Sequence, residues 1–121
     1  MWAAAETLDA TITLHDAEAK TRASGLNAWP VCSHEDVIGV ISREGIESAT
    51  KNGDGENRLR EIVPPGEFPH VHADHSLHTT LDRMGAAGLD VLPVVSRANA
   101  HQLLGIVTVD DVLALYGVRP R

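Results

Sequence analysis

The residues best placed to do chemistry lie in GIVTVDD, Gly105 to Asp111, where a hydroxyl at Thr108 and a carboxylate at Asp111 stand three positions apart behind an apolar run. At the start of a helix such a pair has two uses. A carboxylate accepts hydrogen bonds from a vicinal diol, while the free N–H groups of the helix start meet an anion. Equally, a threonine followed three residues later by an acid satisfies the helix's own first donors. Both uses stay open for Thr108.

A second group is HVHADHSLH, with His70, His72, His75 and His78. On a strand the first two share a face, and the last two sit three apart at a helix start, so the imidazoles can converge on a metal or respond to protons. No cysteine or acid is forced in beside them, so they read as solvated or capping side chains with no metal. Cys32 is the one cysteine, which rules out an intrachain disulfide, and its place among strand residues makes it a small buried hydrophobe. Nucleophile elbow, phosphate-gripping glycine loop and paired carboxylates in an apolar setting are all missing, so the expectation is a protein that is not an enzyme.

The elements that must position these residues come in two copies. A shift of 63 brings Ala10, Leu14, His15, Ala23, Gly25, Leu26, Pro30 and Val31 onto identical residues at Ala73, Leu77, His78, Ala86, Gly88, Leu89, Pro93 and Val94. Past a turn the shift becomes 66, and Gly39 to Ser42 meet Gly105 to Thr108. The second copy is the clearer one. Pro69 to Ala73 is an extended piece, and Ser76 caps a helix whose Leu77, Leu81 and Met84 share a face, with Gly88 ending it. Val91 to Val95 and Leu103 to Val107 form a strand pair across the turn SRANAHQ. Thr108 then caps a helix running through Tyr116 to Gly117, with Pro120 beyond. In the first copy Glu18 and Thr21 replace Leu81 and Met84, which predicts a thinner apolar stripe and a wetter face. The expected division is a degenerate first repeat over 6–50, a polar linker over 51–61 with a short helical turn from Leu59 to Val63, and a second repeat over 62–117.

A chain of 121 residues gives each copy too little core to stand alone, so the two should share one. Aromatics are 3% of residues, which leaves Ala, Val, Leu and Ile to fill it. The formal charge of −7 opposes a non-specific hold on nucleic acid or anionic lipid, and an anionic ligand needs a locally built pocket. No apolar run approaches the ~20 residues of a membrane helix, and the start lacks the basic flank of a secretory signal. The expected location is cytoplasmic, either free or attached to an inner-membrane protein.

The run LPVV, a turn, LLGIVTVDDVL resembles the closing half of a CBS domain, and WPVC, a turn, VIGVISREGI resembles a worn version of the same. Two in tandem resemble the CBS pair often called a Bateman module. The resemblance implies an α/β (α+β) fold of two pseudo-symmetric β-α-β-β-α repeats packed through their sheets, which commonly forms a homodimer. It also implies a regulatory role, sensing an adenosine-containing ligand such as AMP, ADP, ATP or S-adenosylmethionine for an attached enzyme, channel or transporter.

By that resemblance Thr108 meets a phosphate or the sugar and Asp111 the ribose hydroxyls, with Val109 and Asp110 between them. Leu92 and Pro93 border the cleft, and His70 or Val71 touches the adenine. In the first copy Gly45 stands where Asp111 stands, so one site survives. Relatives that bind phosphates carry basic residues just before the strand proline, whereas this chain has Asp90 and Val91. That departure disfavours di- and triphosphates unless Arg43, Arg58, Arg60 or Arg97 reaches in. The stretch from Val63 to Arg97 further resembles the cytoplasmic CBS tails of bacterial chloride channels of the ClC type. A ligand-free dimerisation or interaction module is the alternative.

Overall fold

The computed structural model describes residues 6–34, 36–63 and 68–115. The chain runs through β1 (Leu8–Asp9), α1 (Leu14–Thr21), β2 (Ala28–Ser33), β3 (Asp36–Ser42), α2 (Arg43–Lys51), α3 (Leu59–Ile62), β4 (Val71–His72), α4 (Leu77–Ala87), β5 (Val91–Val95), β6 (Leu103–Thr108) and α5 (Val109–Leu115). This is strand, helix, strand, strand, helix taken twice, a mixed α+β fold with one sheet per repeat. Each sheet has three strands, ordered β1-β2-β3 and β4-β5-β6. The predicted continuation of α5 through Tyr116 to Gly117 lies outside the described residues. Among those described, no helix is long and apolar enough to cross a membrane.

The repeat extends to irregularities. The antiparallel pair β2 and β3 shifts register between Val31 and Cys32, and β5 and β6 shift between Val94 and Val95, the equivalent step. The short parallel strands β1 and β4 align with the residues just after Pro30 and Pro93, at Val31 and Val94, where backbone donors resume. Helix ends follow their expected chemistry. Ser76 accepts from the Thr79 N–H at the start of α4, and Gly88, at φ 69°, ends it in the left-handed conformation that glycine adopts at little cost.

Each repeat builds its own core, and a third cluster joins them. Leu14, Trp29, Val31, Ile46 and Leu59 fill the first, and Val71, Leu92, Val94, Val107 and Val112 the second. Between them Ala28, Val91 and Ile106 are buried against Leu26, Val40 and Leu89. Those six are the same three positions taken from both copies, so the repeats pack through equivalent faces, and each covers apolar surface the other would leave wet. Backbone bonds close the same seam at the hairpin turns: Val37 donates to the His101 carbonyl at 2.7 Å, and the His101 ring nitrogen lies 3.0 Å from the Val37 carbonyl.

Two expected features, the polar linker and the thinner stripe of the first helix, take definite form. The polar linker is strapped down, because the Gly55 and Asn57 carbonyls accept the free N–H groups of His15 and Leu14 in the first turn of α1, at 3.1 and 2.9 Å. The exposed His15 imidazole lies close over Gly55, where a Cβ would make the ring move aside. Thr21 is buried, its hydroxyl donating to the Ala17 carbonyl at 2.8 Å, so a satisfied polar group replaces Met84's bulk. The predicted wetness survives beside it, in a cleft of about 170 Å³ lined by Glu18, Arg22, Arg43 and Glu47.

Candidate functional site

Thr108 ends β6 opposite Val91, the first residue of β5, and α5 begins with the next residue. Its hydroxyl accepts from the Asp111 N–H at 3.0 Å, and the Asp111 carboxylate accepts from the Thr108 N–H at 3.1 Å. The reciprocal box is closed. One carboxylate oxygen of Asp111 is thus engaged within the protein, and the half-buried side chain keeps further acceptor capacity. Val109 packs on the second core while its N–H donates to the Asp90 carbonyl at 2.8 Å, and Asp110 is exposed.

Asp90 makes this corner electronegative. It stands at the seam, with its N–H facing the Asn27 side-chain oxygen of the first repeat at 3.4 Å. Its Oδ1 is buried without a hydrogen-bond partner. Burying an ionised oxygen this way is costly, and a neighbouring phosphate would add to the cost. The arginines do not relieve it. Arg43 donates to the carbonyls of Thr21, Ser24 and Leu26 while its guanidinium lies 4.9 Å over Trp29, Arg58 is bonded to the Thr11 carbonyl, and Arg97 makes a paired contact with Asp74 at 2.9 Å. Arg60 is exposed on α3.

The other residues named from the sequence lie elsewhere on the same sheet. Val71 and Leu92 are fully buried in the second core, and Pro93 is buried beside them, so their side chains are occupied by packing. His70 is half-buried just before β4, its Nδ1 2.9 Å from the Phe68 carbonyl. Since Val71 aligns with Val94 and Val91 with Thr108, His70 sits two residues up the sheet from Thr108 and across β5 from it. That is about 7 Å along and about 10 Å across, so only an extended ligand touches both. Four neighbours of His70 were not foreseen. Phe68, Arg83, Ala86 and Ala87 join it around a shallow pocket of about 350 Å³, and Arg83 donates to the His70 carbonyl at 3.1 Å. Nothing in the sequence sets Arg83 against His70, because only the packing of α4 on the segment before β4 brings them together.

The first copy of the site differs in kind. Ser42 caps α2 by accepting from the Gly45 N–H at 2.9 Å, but Gly45 offers no carboxylate in return. Cys32 is half-buried rather than fully buried, and burial together with Asp9 and Asp36 pushes its thiol up, away from reactivity. Among the described residues no three His, Cys, Asp or Glu side chains converge as metal ligands. His70, His72 and His75 are instead neighbours in a chain of rings.

Residues 59–117 match the protein family described as CBS domain. No curated protein matches the chain. Among solved structures the fold is similar to Hypoxic Response Protein I with two coordinated zinc ions, at TM-score 0.74 and 23% identity over 89% of this chain and 88% of that one. It is similar to the cytosolic domain of the Mg2+ channel MgtE in complex with ATP, at TM-score 0.70 and 27% identity over 90% of this chain and 44% of that one. It is also similar to a CBS domain pair in complex with 5-methylthioadenosine and S-adenosyl-L-methionine, at TM-score 0.74 and 20% identity over 96% of this chain and 91% of that one. Residues 59–117 thus match the CBS domain model, and the chain as a whole is similar in fold to a CBS domain pair.

Proposed function

We propose that this CBS pair is a regulatory module that senses an adenosine-containing ligand at one site, the corner formed by Thr108, Val109, Asp110 and Asp111, on behalf of a partner channel, transporter or enzyme. The observation that carries the reading is the asymmetry of the repeats: the hydroxyl and carboxylate pair stands only in the second, while Gly45 leaves the first without an acceptor. Similar structures hold ATP in one case and 5-methylthioadenosine with S-adenosyl-L-methionine in another. Asp90, Asp110 and Asp111 favour, for this chain, an adenosine with one phosphate or none. Binding regulates only if the ligand prefers one arrangement of the two repeats, which meet through a small apolar seam. The parent we favour is a cytoplasm-facing membrane transport protein, the chloride channel resemblance being its sequence basis, with the module acting as a homodimer.

The test is calorimetric titration of the full chain with adenosine, AMP, ADP, ATP, 5-methylthioadenosine and S-adenosylmethionine. One adenosine compound should bind at one site per chain. Asp111→Asn, which keeps an oxygen to accept the Thr108 N–H but loses the charge, should weaken it by about tenfold, the loss of a charged hydrogen bond. Unchanged affinity in that variant would remove the site assignment. No binding by any compound favours a second reading, supported by the closed Thr108–Asp111 box. There the corner only holds its helix and the chain is an interaction module, which should then show concentration-dependent dimerisation by light scattering.

A further inference from the structure

Four histidines of the second repeat, with Phe68, form a continuous chain of rings meeting edge to face or tilted, which the ligand reading leaves unexplained. His101, whose ring touches the first repeat at Val37, faces Phe68 at 6.1 Å between ring centroids. Phe68 faces His70 at 5.5 Å, His70 faces His72 at 5.2 Å, and His72 faces His75 at 5.1 Å. The hydrogen bonds assign each ring a role. The Nδ1 atoms of His101, His70 and His72 each lie against a backbone carbonyl, at Val37, Phe68 and Val95, so each must carry a proton there and donate. A second proton on Nε2 leaves all three bonds in place. His75 is the opposite case: its Nδ1 accepts from the His72 N–H at 3.0 Å, a second tie across the turn after β4 beside the backbone bond from the His75 N–H to the His72 carbonyl, also at 3.0 Å. A doubly protonated His75 has no lone pair to accept with, so the bond exists only while that ring is neutral.

We propose that the His70–His72–His75 chain of rings is a proton-operated latch on the turn between β4 and α4, closed while His75 is neutral and opened when it takes up a proton. The surroundings make the opening sharper. The groups facing His75 are His72 on β4, Arg83 on α4, Arg97 on the loop between β5 and β6, and Asp74 in the turn itself. Asp74 is the one acid among them, and Arg97 already holds both of its carboxylate oxygens. On α4, His78 lies 3.3 Å from Asp82, a separate exposed pair. A proton taken up by His75 therefore arrives beside two arginines and one spent counter-charge, about 5 Å from the His72 ring. Burial, reinforced by Arg83, His72 and Arg97, lowers the His75 titration below its ordinary value. The closed turn is thus favoured above the ordinary imidazole pKa near 6.5, and the preference is lost as pH falls below it toward the folded value. Val71 is fully buried and anchors β4, so opening is confined to His72 through His75 and the Ser76 start of α4.

The experiment is a pH titration of the full chain by NMR, in chelator and without nucleotide, so that it stands apart from the ligand reading. It follows amide exchange protection at His72 and the His75 ring signal. The expected result is a His72 protection factor, normalised for intrinsic exchange, that holds at pH 7.5 and falls about tenfold per pH unit once His75 titrates, while Val94 keeps its protection. In His75→Gln, which cannot take up the proton, the pH dependence should vanish, and in His78→Gln it should persist. Protection at His72 that is constant down to pH 5.5, or that falls equally in His75→Gln, would overturn the latch. If His75→Gln does not fold, the wild-type titration decides: the His72 amide and the His75 ring must share one midpoint, and different midpoints sink the proposal.

Discussion

Two helices in this molecule begin in the same way, α2 after Ser42 and α5 after Thr108, and the residues that follow have parted company. After Thr108 come Val109, which packs on the core, and Asp111, which closes the box. After Ser42 come Arg43, which turns back to hold the chain leaving α1, and Gly45, which offers only its N–H. Arg43 and Val109 are equivalent positions, as are Gly45 and Asp111. One repeat has spent its helix start on internal bracing, and the other keeps hydroxyl and carboxylate at the surface.

The largest break in this comparison should come at Trp29. It occupies the position of Leu92, is 1% exposed, and carries Arg43 on its face. Trp29→Ala should lose about 3–5 kcal/mol of unfolding free energy, against about 2–5 kcal/mol for Leu92→Ala, because both empty a core but only the first also removes the ring face under the Arg43 guanidinium. Chemical denaturation of the two variants compares them directly. Equal losses would mean that the Trp29 and Arg43 contact contributes nothing. Next comes Arg43 itself, whose guanidinium donates to three carbonyls that have left the end of α1. Arg43→Ala should cost about 2 kcal/mol, and Arg43→Lys should recover only part of it, since an ammonium lacks the planar fork and stacks poorly on an indole. At the equivalent position Val109→Ala removes two methyl groups from a partly buried side chain and should cost about 1 kcal/mol.

Much of this arrangement is legible in the residues alone, for reasons that differ by element. The repeat announces itself because Pro30 and Pro93 stand at the same step of both strand pairs and Thr13 and Ser76 cap equivalent helices, while the left-handed stop at Gly88 has no counterpart at Gly25. What the sequence hides is the use made of positions the repeat does not share. Arg43 reads as a free cation within reach of a phosphate, and only the fold shows it turned inward onto carbonyls 17 to 22 residues earlier. Asp90 reads as a missing base, yet its buried, partnerless oxygen appears only when the two repeats are brought face to face. The spacing of His70, His72 and His75 lets them converge, and the sequence reads them as solvated or capping side chains. The hydrogen bonds of their ring nitrogens, which no spacing predicts, aim those nitrogens at backbone groups instead.

Smaller effects test the caps. Thr108→Ala and Ser42→Ala each remove an N-cap acceptor and should cost about 1 kcal/mol, the first somewhat more because its partner Asp111 loses a reciprocal bond as well. The smallest expected change runs the comparison backwards. Gly45→Asp would give the first repeat the carboxylate it lacks. The new Cβ would lie 3.2 Å from the Ser42 Oγ, so the box forms with the serine shifted by a few tenths of an ångström and still accepting from the N–H of residue 45. Replacing a helical glycine favours the folded chain and a closed box adds to it, so a gain of about 0.5–1 kcal/mol is expected. The variant also separates bracing from sensing. If a lost carboxylate is all that silenced the first corner, Gly45→Asp should raise adenosine-ligand binding from one site per chain to two. If Arg43 and its grip on the end of α1 closed the corner, stability should rise while stoichiometry stays at one.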